Sequence, residues 1–254
     1  MADKAVKVIF VPGAWMGGWI WEPTVERLRA RGIDAETITL CGLEPGREDS
    51  EIAQVHLEDH VQQLIERIEH ASRCPVVLVS HSYSGVVAAL AADRLRSQVV
   101  GVIHVGSFLP VDSRAMLDDW GSSEKERAQE RADIEDAGHL WLAPTRDMLD
   151  FVEDLTDDDR DFLASKFTAH PGRTVLDVAH LSAPVEEQPA TYIALSLESG
   201  FDTAWDDAPE IAKLAATWRR RSLVSGHWPM VTAYDEMVDL LEAEIRHYKR
   251  LTKT

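Results

Sequence analysis

The amino-acid sequence predicts an α/β fold in which a mostly parallel central sheet carries helices on both faces and a helical cap is inserted into it. Two observations support this prediction. Short β-branched segments alternate with amphipathic helical patterns along most of the chain, and one long interval interrupts that alternation. The length of 254 residues suits one large domain with an insertion better than two domains in tandem.

Six short segments, each rich in β-branched residues and bounded by Gly, Pro or Ser, are predicted to be strands. Their apolar residues follow one another without regular polar alternation, which is typical of parallel strands buried on both faces. These segments are residues 6–11, 35–40, 76–80, 99–105, 191–197 and 220–225.

The segments between the predicted strands have helical periodicity. Apolar residues over 57–68 fall on one helical face, and a second stripe runs over 234–245 behind Thr232 and Asp235, which are spaced as a capping box. Strands that alternate with helices form parallel sheets, which bind ligands at the carboxyl ends of their strands.

Residues 111–187 contain no convincing strand, but they include helical stretches such as 156–167, where Thr156 and Asp159 are spaced as a capping box. A structureless loop of this length is rare inside a compact domain. We therefore predict that residues 111–187 form a helical cap, here called the cap, and that residues 1–110 and 188–254 form the core. The charged segment 124–136 is expected to be a solvated helix.

The charge balance narrows the classes of partner. The chain has 26 basic and 44 acidic residues, a formal net charge of −18, and should repel phosphate backbones and anionic lipids. No segment has the apolar length of a membrane span, and the N-terminus lacks a signal-peptide pattern. We expect a cytoplasmic protein with no nucleic-acid or membrane partner.

One turn has the features of a nucleophile. The sequence SHSYSG, residues 80–85, joins a predicted strand directly to a helical pattern. In the nucleophile elbow Gly-x-Ser-x-Gly, small flanking residues permit a strained turn that exposes the central hydroxyl above the sheet. Ser82 is central here, and serines replace both glycines while meeting the need for small residues. We predict Ser82 as the nucleophile and a structural role for His81.

The partners of such a serine follow other predicted strands. His227 comes after the last strand and just before the final helix, while Glu198 is the first carboxylate after strand 191–197, with Asp202 and Asp206 as alternatives. The Gly-rich turn over residues 12–18 offers backbone N–H groups of the kind that bind an oxyanion. The chain order serine, acid, histidine is that of the α/β-hydrolase fold.

Five segments of the chain resemble α/β-hydrolases, specifically the small cap-bearing branch that includes plant methylesterases, hydroxynitrile lyases and bacterial esterases. They are VIFVPGAWMGGWIW, VVLVSHSYSG, VGSFLP, TYIALSLESG and LVSGHWPM. The resemblance is weak within the cap. It implies an α/β-hydrolase fold with Ser82 as nucleophile, His227 as base and Glu198 as acid, and an oxyanion hole formed by the N–H groups of Ala14 and Tyr83.

The sequence departs from the pattern of that branch at three places. Pro12 stands where many members have histidine, Ser80 and Ser84 replace the elbow glycines, and the acid is Glu198 rather than an aspartate. The serines add side-chain volume to a strained turn, while the longer glutamate arm can still reach a histidine.

Aromatic residues flank the predicted reactive groups and indicate an apolar substrate pocket. The predicted pocket residues are Trp15, Trp19, Phe108 and Trp228. Trp120, Trp141 and His170, all in the cap, are expected either to line its underside or to form its own core.

No pattern supports a metal or cofactor site. His56 and His60 are four residues apart in HLEDH, but the metalloprotease pattern H-E-x-x-H is absent, and we favour a solvated helix face. A P-loop and a G-x-G-x-x-G motif are also absent from the sequence.

The predicted function is that of a cofactor-independent serine hydrolase acting on a small, largely apolar carboxylic ester or lactone, with a homodimer left open. A lyase is disfavoured because Gly13 and Trp228 stand where the similar hydroxynitrile lyases have Thr and Lys. A cofactor-free dioxygenase on the same scaffold remains an alternative. The third alternative is a non-catalytic ligand-binding receptor. The complete set of serine, acid and histidine argues against it.

Overall fold

The computed structural model describes residues 6–71 and 74–252. The strands of its central sheet are β1 Lys7–Val11, β2 Asp34–Thr37, β3 Val76–His81, β4 Val99–Val105, β7 Ala190–Ser196 and β8 Arg219–Val224. They lie in the order β2-β1-β3-β4-β7-β8, and every neighbouring pair is parallel. Two short strands, β5 Leu140–Trp141 and β6 His170–Pro171, pair antiparallel outside this sheet.

All six predicted strands are present, with small shifts at their ends. The expectation of burial on both faces is confirmed for the inner strand β3, which is buried throughout, but it is wrong for β8. β8 lies at an edge of the sheet and leaves most of its residues partly or fully exposed. Its Arg219 and Arg221 side chains reach the buried carboxylate of Glu244 at 2.5 and 2.8 Å.

Helices cover both faces of the sheet. The core helices are α1 Glu22–Ala30, α2 Asp49–Ile52, α3 Leu57–Glu69, α4 Ser84–Arg94, α9 Phe201–Asp206, α10 Glu210–Leu214, α11 Pro229–Thr232 and α12 Tyr234–Leu251. Helices α1 and α12 share one apolar core with the sheet, and α3 and α4 share the other. The apolar stripe predicted over residues 57–68 is the buried face of α3.

Between β4 and β7 the chain leaves the sheet and forms short helices. They are α5 Glu124–Asp136, α6 Arg146–Leu149, α7 Asp157–Lys166 and α8 Arg173–Leu176. Helix α5 coincides with the charged segment 124–136 and is mostly exposed. Single 3₁₀ turns occur at Gly18–Ile20, Met116–Asp119 and Val185–Glu187. No helix in the described ranges has the length and apolar character needed to cross a membrane.

One of the two predicted capping boxes forms. At the start of α7, Thr156 Oγ1 accepts the Asp159 N–H at 3.2 Å, and Asp159 accepts the Thr156 N–H in return. The prediction of a second capping box, at Thr232 and Asp235, is wrong, because α12 begins after Ala233 with no side-chain cap. There the Thr232 hydroxyl lies 2.7 Å from the hydroxyl of Ser225 and is not free to cap the helix.

Candidate active site

Ser82 occupies the sharp turn between β3 and α4. Its φ of 53° lies in the left-handed region, which a non-glycine residue adopts only when the surrounding structure holds it there. The Ser82 carbonyl accepts the Phe108 N–H at 3.0 Å, and its own N–H donates to Val105. The local geometry is therefore that of a nucleophile elbow.

The serines that replace the elbow glycines make specific hydrogen bonds. Ser80 Oγ lies 2.9 Å from His104 Nδ1. Ser84 Oγ donates to the Val11 carbonyl at 2.8 Å and accepts the His81 N–H at 3.0 Å. Glycine is required at the next residue, Gly85, because a Cβ there would lie 2.1 Å from the carbonyl oxygen of Phe108.

His227 lies on the loop after β8, and its Nε2 is 3.1 Å from Ser82 Oγ. The structure thus brings together the predicted nucleophile and the predicted base. Burial lowers the pKa of His227 to about 4, while the nearby carboxylate of Asp154 acts in the opposite direction. At neutral pH the imidazole is uncharged and can accept a proton from the serine.

The turn after β1 holds the predicted oxyanion donors. Trp15 in this turn has a φ of 64°, and its N–H points to His170 Nδ1 at 3.4 Å. Among the described residues, the N–H groups of Ala14 and Tyr83 donate no hydrogen bond. Their role as the donors of an oxyanion hole stays a prediction.

The predicted acid, Glu198, lies on the exposed loop immediately after β7. Its backbone N–H donates to Ser196 Oγ at 3.1 Å, and its carboxylate makes no hydrogen bond to any described residue. Glu198 lines a cleft of about 760 Å³ that His227 and Asp206 also line. The structure places Glu198 on the same cleft as the base without joining the two side chains, and its role as the acid stays a prediction.

A carboxylate that the sequence did not single out lies closer to the base. Asp154, in the turn before α7, accepts the Gly226 N–H at 2.7 Å through Oδ2, directly beside His227. Its Oδ1 is buried and has no hydrogen-bond partner in the described part of the chain. Asp154 also preserves the chain order of serine, acid and histidine, so order alone could not separate it from Glu198.

A cavity of about 630 Å³ opens beside Ser82 and His227. Its aromatic wall is formed by Trp15, Phe108, Trp120, Trp141 and Trp228. Trp120 and Trp141 therefore line the site from the cap, one of the two arrangements that the sequence left open. Among the described residues, the lining has two acidic side chains, Glu126 and Glu130, and no Lys or Arg.

The predicted pocket residue Trp19 and the cap residue His170 both lie outside the cavity lining. Trp19 is absent from the cavity lining and packs edge-on against Phe162 of the cap, with ring centroids 5.5 Å apart. His170 is fully buried, with its Nε2 2.9 Å from Thr174 Oγ1. Both residues attach the cap to the core rather than contact the cavity.

The expectation of a solvated face at His56 and His60 holds for the first residue and is wrong for the second. His56 is exposed, with its Nδ1 2.9 Å from Asp177. His60 is fully buried beneath the cap, between the Tyr83 hydroxyl at 2.9 Å and the Cys41 carbonyl at 2.8 Å. The described residues include no group of three or more His, Cys, Asp or Glu side chains that could hold a metal ion.

A parallel six-stranded sheet with a strained serine turn and a histidine at its carboxyl edge defines the α/β-hydrolase architecture. The model of the alpha/beta hydrolase family matches residues 8–240, and the chain belongs to this family.

Curated relatives match over part of the chain. A carbendazim hydrolyzing esterase from Nocardioides sp. is 33% identical over 43% of this chain and 45% of its own. Methylesterase 9 from Arabidopsis thaliana is 35% identical over 40% of each chain. The match therefore spans somewhat less than half the length of these relatives.

Solved structures share the fold over nearly the whole chain. An extracellular alpha/beta-hydrolase from a Paenibacillus species superposes with a TM-score of 0.77 at 16% identity, covering 93% of this chain and 97% of its own. A methylesterase from Arabidopsis superposes with a TM-score of 0.74 at 15% identity, covering 96% and 100%. At these identities the likeness establishes the shared architecture.

Proposed function

We propose that this protein is a cofactor-independent serine hydrolase that cleaves a small, largely apolar carboxylic ester or lactone. The observation that carries the proposal is the 3.1 Å contact between Ser82 Oγ and His227 Nε2 beside an aromatic cavity. Relatives that bear the names esterase and methylesterase support the same class of reaction.

The geometry fits acyl transfer through a covalent intermediate. His227 takes the hydroxyl proton as Ser82 Oγ attacks the carbonyl carbon, and the N–H groups of Ala14 and Tyr83 stabilise the resulting oxyanion. Collapse of the tetrahedral intermediate breaks the ester C–O bond, and His227 passes the proton to the leaving alkoxide. Water, deprotonated by His227, then attacks the acyl-serine. The bond between the acyl carbon and Ser82 Oγ breaks, His227 returns the proton to Ser82 Oγ, and the acid is released.

The cavity lining points to the kind of ester. Trp15 and Trp141 stand with ring centroids 4.4 Å apart, and Trp120 meets Trp141 edge-on at 5.0 Å. Such walls favour flat apolar groups and accept cations on their faces. Hydrogen bonds from Ser122 lower the pKa of Glu126 and keep it ionised. A negative carboxylate at this wall disfavours anionic substrates.

The primary test is intact-mass measurement after treatment with a fluorophosphonate, which labels only an activated serine. We expect one adduct on the native protein and none on Ser82→Ala, with similar melting temperatures. Failure to label the native protein, or equal labelling of Ser82→Ala, would contradict the proposal.

The second test addresses the substrate with three phenyl acetates that differ only in the para substituent, which is methyl, carboxylate or trimethylammonium. We expect the carboxylate compound to have the lowest kcat/KM, and Glu126→Gln to narrow that difference. A preference for the anionic ester would contradict the substrate class.

A further inference from the structure

A short turn of the cap is held rigidly against the loop that bears His227. The turn lies between α6 and α7 and is anchored by the buried side chains of Leu149 and Leu155, which are 1% and 4% exposed. Arg160 donates to the carbonyls of Leu149 and Val152 at 3.0 and 3.1 Å. Asp154 lies in this turn, and its carboxylate reaches the backbone of Gly226 on the loop that bears His227.

The loop that bears His227 leaves space for the Asp154 carboxylate beside its backbone. Asp154 Oδ2 accepts the Gly226 N–H at 2.7 Å. A Cβ on Gly226 would lie 2.3 Å from Asp154 Oδ1, and its three nearest atoms would all belong to Asp154. Only glycine at this position therefore allows the carboxylate to approach the residue before His227.

The second carboxylate oxygen of Asp154, Oδ1, is free to accept a hydrogen bond. Asp154 Oδ1 is buried without a hydrogen-bond partner among the described residues, a costly state for a carboxylate unless a donor is within reach. His227 directs Nε2 to Ser82, so a neutral ring that accepts at this atom carries its proton on Nδ1. His81, the other titratable ring facing His227, stays neutral because burial lowers its pKa well below the usual value.

We propose that Asp154, supplied by the cap, is the positioning carboxylate of His227. Asp154 Oδ1 makes no hydrogen bond to the residues that the structure describes, and it is the acceptor that we assign to the Nδ1–H of His227 in the reacting enzyme. This contact fixes the tautomer that presents Nε2 to Ser82 and stabilises the imidazolium that forms when the serine proton is taken. No proton moves to Asp154, because the proton goes on from Nε2 to the leaving group. This inference rests on the proposed hydrolase function.

The rival carboxylate is less favourably placed. Glu198 is exposed on its loop, and its carboxylate bonds to no described residue, so water screens its charge from the imidazole. Asp154 is more shielded from solvent, and one of its carboxylate oxygens accepts the N–H of Gly226, the residue before the histidine. Its charge therefore acts on His227 through a medium of lower polarity.

The discriminating experiment compares Asp154→Asn with Glu198→Gln, with Glu153→Gln as the matched control for loss of one neighbouring charge. The asparagine amide oxygen can still accept the Gly226 N–H, so the loop should keep its place. We expect Asp154→Asn to lower kcat by a factor of about 10² to 10⁴, with KM nearly unchanged. The acid limb of the kcat/KM profile should also move to lower pH, because the carboxylate that raises the pKa of His227 is lost.

A merely structural role for Asp154 would not move that acid limb. A loss smaller than about tenfold, an unmoved limb, or a larger loss in Glu198→Gln than in Asp154→Asn would each overturn the inference. None of these results would affect the proposed hydrolase function, which is tested separately by fluorophosphonate labelling of the native protein and of Ser82→Ala.

A double-mutant cycle gives a second, independent readout. Gly226→Ala should lower kcat strongly in the native background, since its methyl group must displace the Asp154 carboxylate. In an Asp154→Ala background the same substitution meets no carboxylate and should cost much less, giving strong non-additivity. Additive losses would overturn the proposed contact. Melting temperatures of all four proteins serve to separate this effect from unfolding.

Discussion

The His81 Nε2 lies 2.7 Å from the backbone carbonyl oxygen of His227 and donates a hydrogen bond to it. The two rings are in contact, with centroids 4.8 Å apart and planes tilted by 51°. Because burial keeps His81 neutral, its single ring proton is committed to this bond. The residue before the nucleophile thus ties the serine-bearing strand to the loop that carries the base.

Replacing His81 with phenylalanine keeps a ring in this position but removes the donor. We expect kcat to fall by about ten- to a hundredfold, because a small displacement of the base from Ser82 is costly. The rate of fluorophosphonate labelling should fall in parallel. Unchanged kinetics in a folded variant would show that the bond does not position His227.

Ser84→Gly restores the glycine that the elbow pattern expects, yet we expect it to destabilise the protein. The buried hydroxyl satisfies both the Val11 carbonyl and the His81 N–H, and its loss should cost about 1–2 kcal/mol. Glycine in the helix adds up to about 1 kcal/mol. Denaturant unfolding measures the change, and Ser84→Ala separates the hydroxyl from the backbone effect. A more stable glycine variant would contradict this account.

The pH dependence of the rate should reflect the low pKa of His227. An imidazolium cannot accept the serine proton, and burial lowers this pKa to about 4. We expect kcat/KM to stay level as pH falls below the ordinary histidine value of about 6.5 and to drop only toward pH 4. Initial rates should be taken where circular dichroism reports a native fold. A midpoint near the ordinary value would contradict the burial effect.

Stability should also fall with acid, through histidines that are buried uncharged. Burial lowers the pKa of His60 to about 4 and that of His104 to about 3. Between these values and the unfolded value of about 6.5, the unfolded chain binds more protons, so the free energy of unfolding decreases as pH falls. Each such histidine contributes a slope of about 1.4 kcal/mol per pH unit. His104→Phe should reduce the slope by that amount, and an equal slope in both proteins would contradict the assignment.

The parts of the fold that the sequence predicts are those encoded over short distances. The strand, turn and helix around Ser82 follow one another in the chain, so their pattern is visible locally. His60 carried an overlooked signal, since it falls on the same helical stripe as the buried Leu57, Val61 and Leu64. The helical periodicity therefore predicts that His60 is buried, whereas its polar side chain favours the exposed position that we expected.

The carboxylate beside the base could not be found in this way. Asp154 and Gly226 are 72 positions apart, and they meet only because the cap folds back on the core. No local pattern encodes that meeting, whereas Glu198 stands at the expected distance from a strand. The prediction that Trp19 lines the pocket fails for a similar reason. Its position in the sequence, close to the turn after β1, does not tell which way its ring faces.

The cap is hydrogen-bonded to Trp15 in the turn after β1, and this attachment limits how the protein can be re-engineered. The Trp15 carbonyl accepts the N–H of Thr168, and the Trp15 indole donates to the carbonyl of Trp141 at 3.0 Å. A chimaera that carried a relative's cap would have to re-form both bonds with its own backbone to hold the turn after β1 in place. Substrate range is better changed by point substitutions at the solvent-facing cavity residues Leu142 and Met148, which leave those attachments intact.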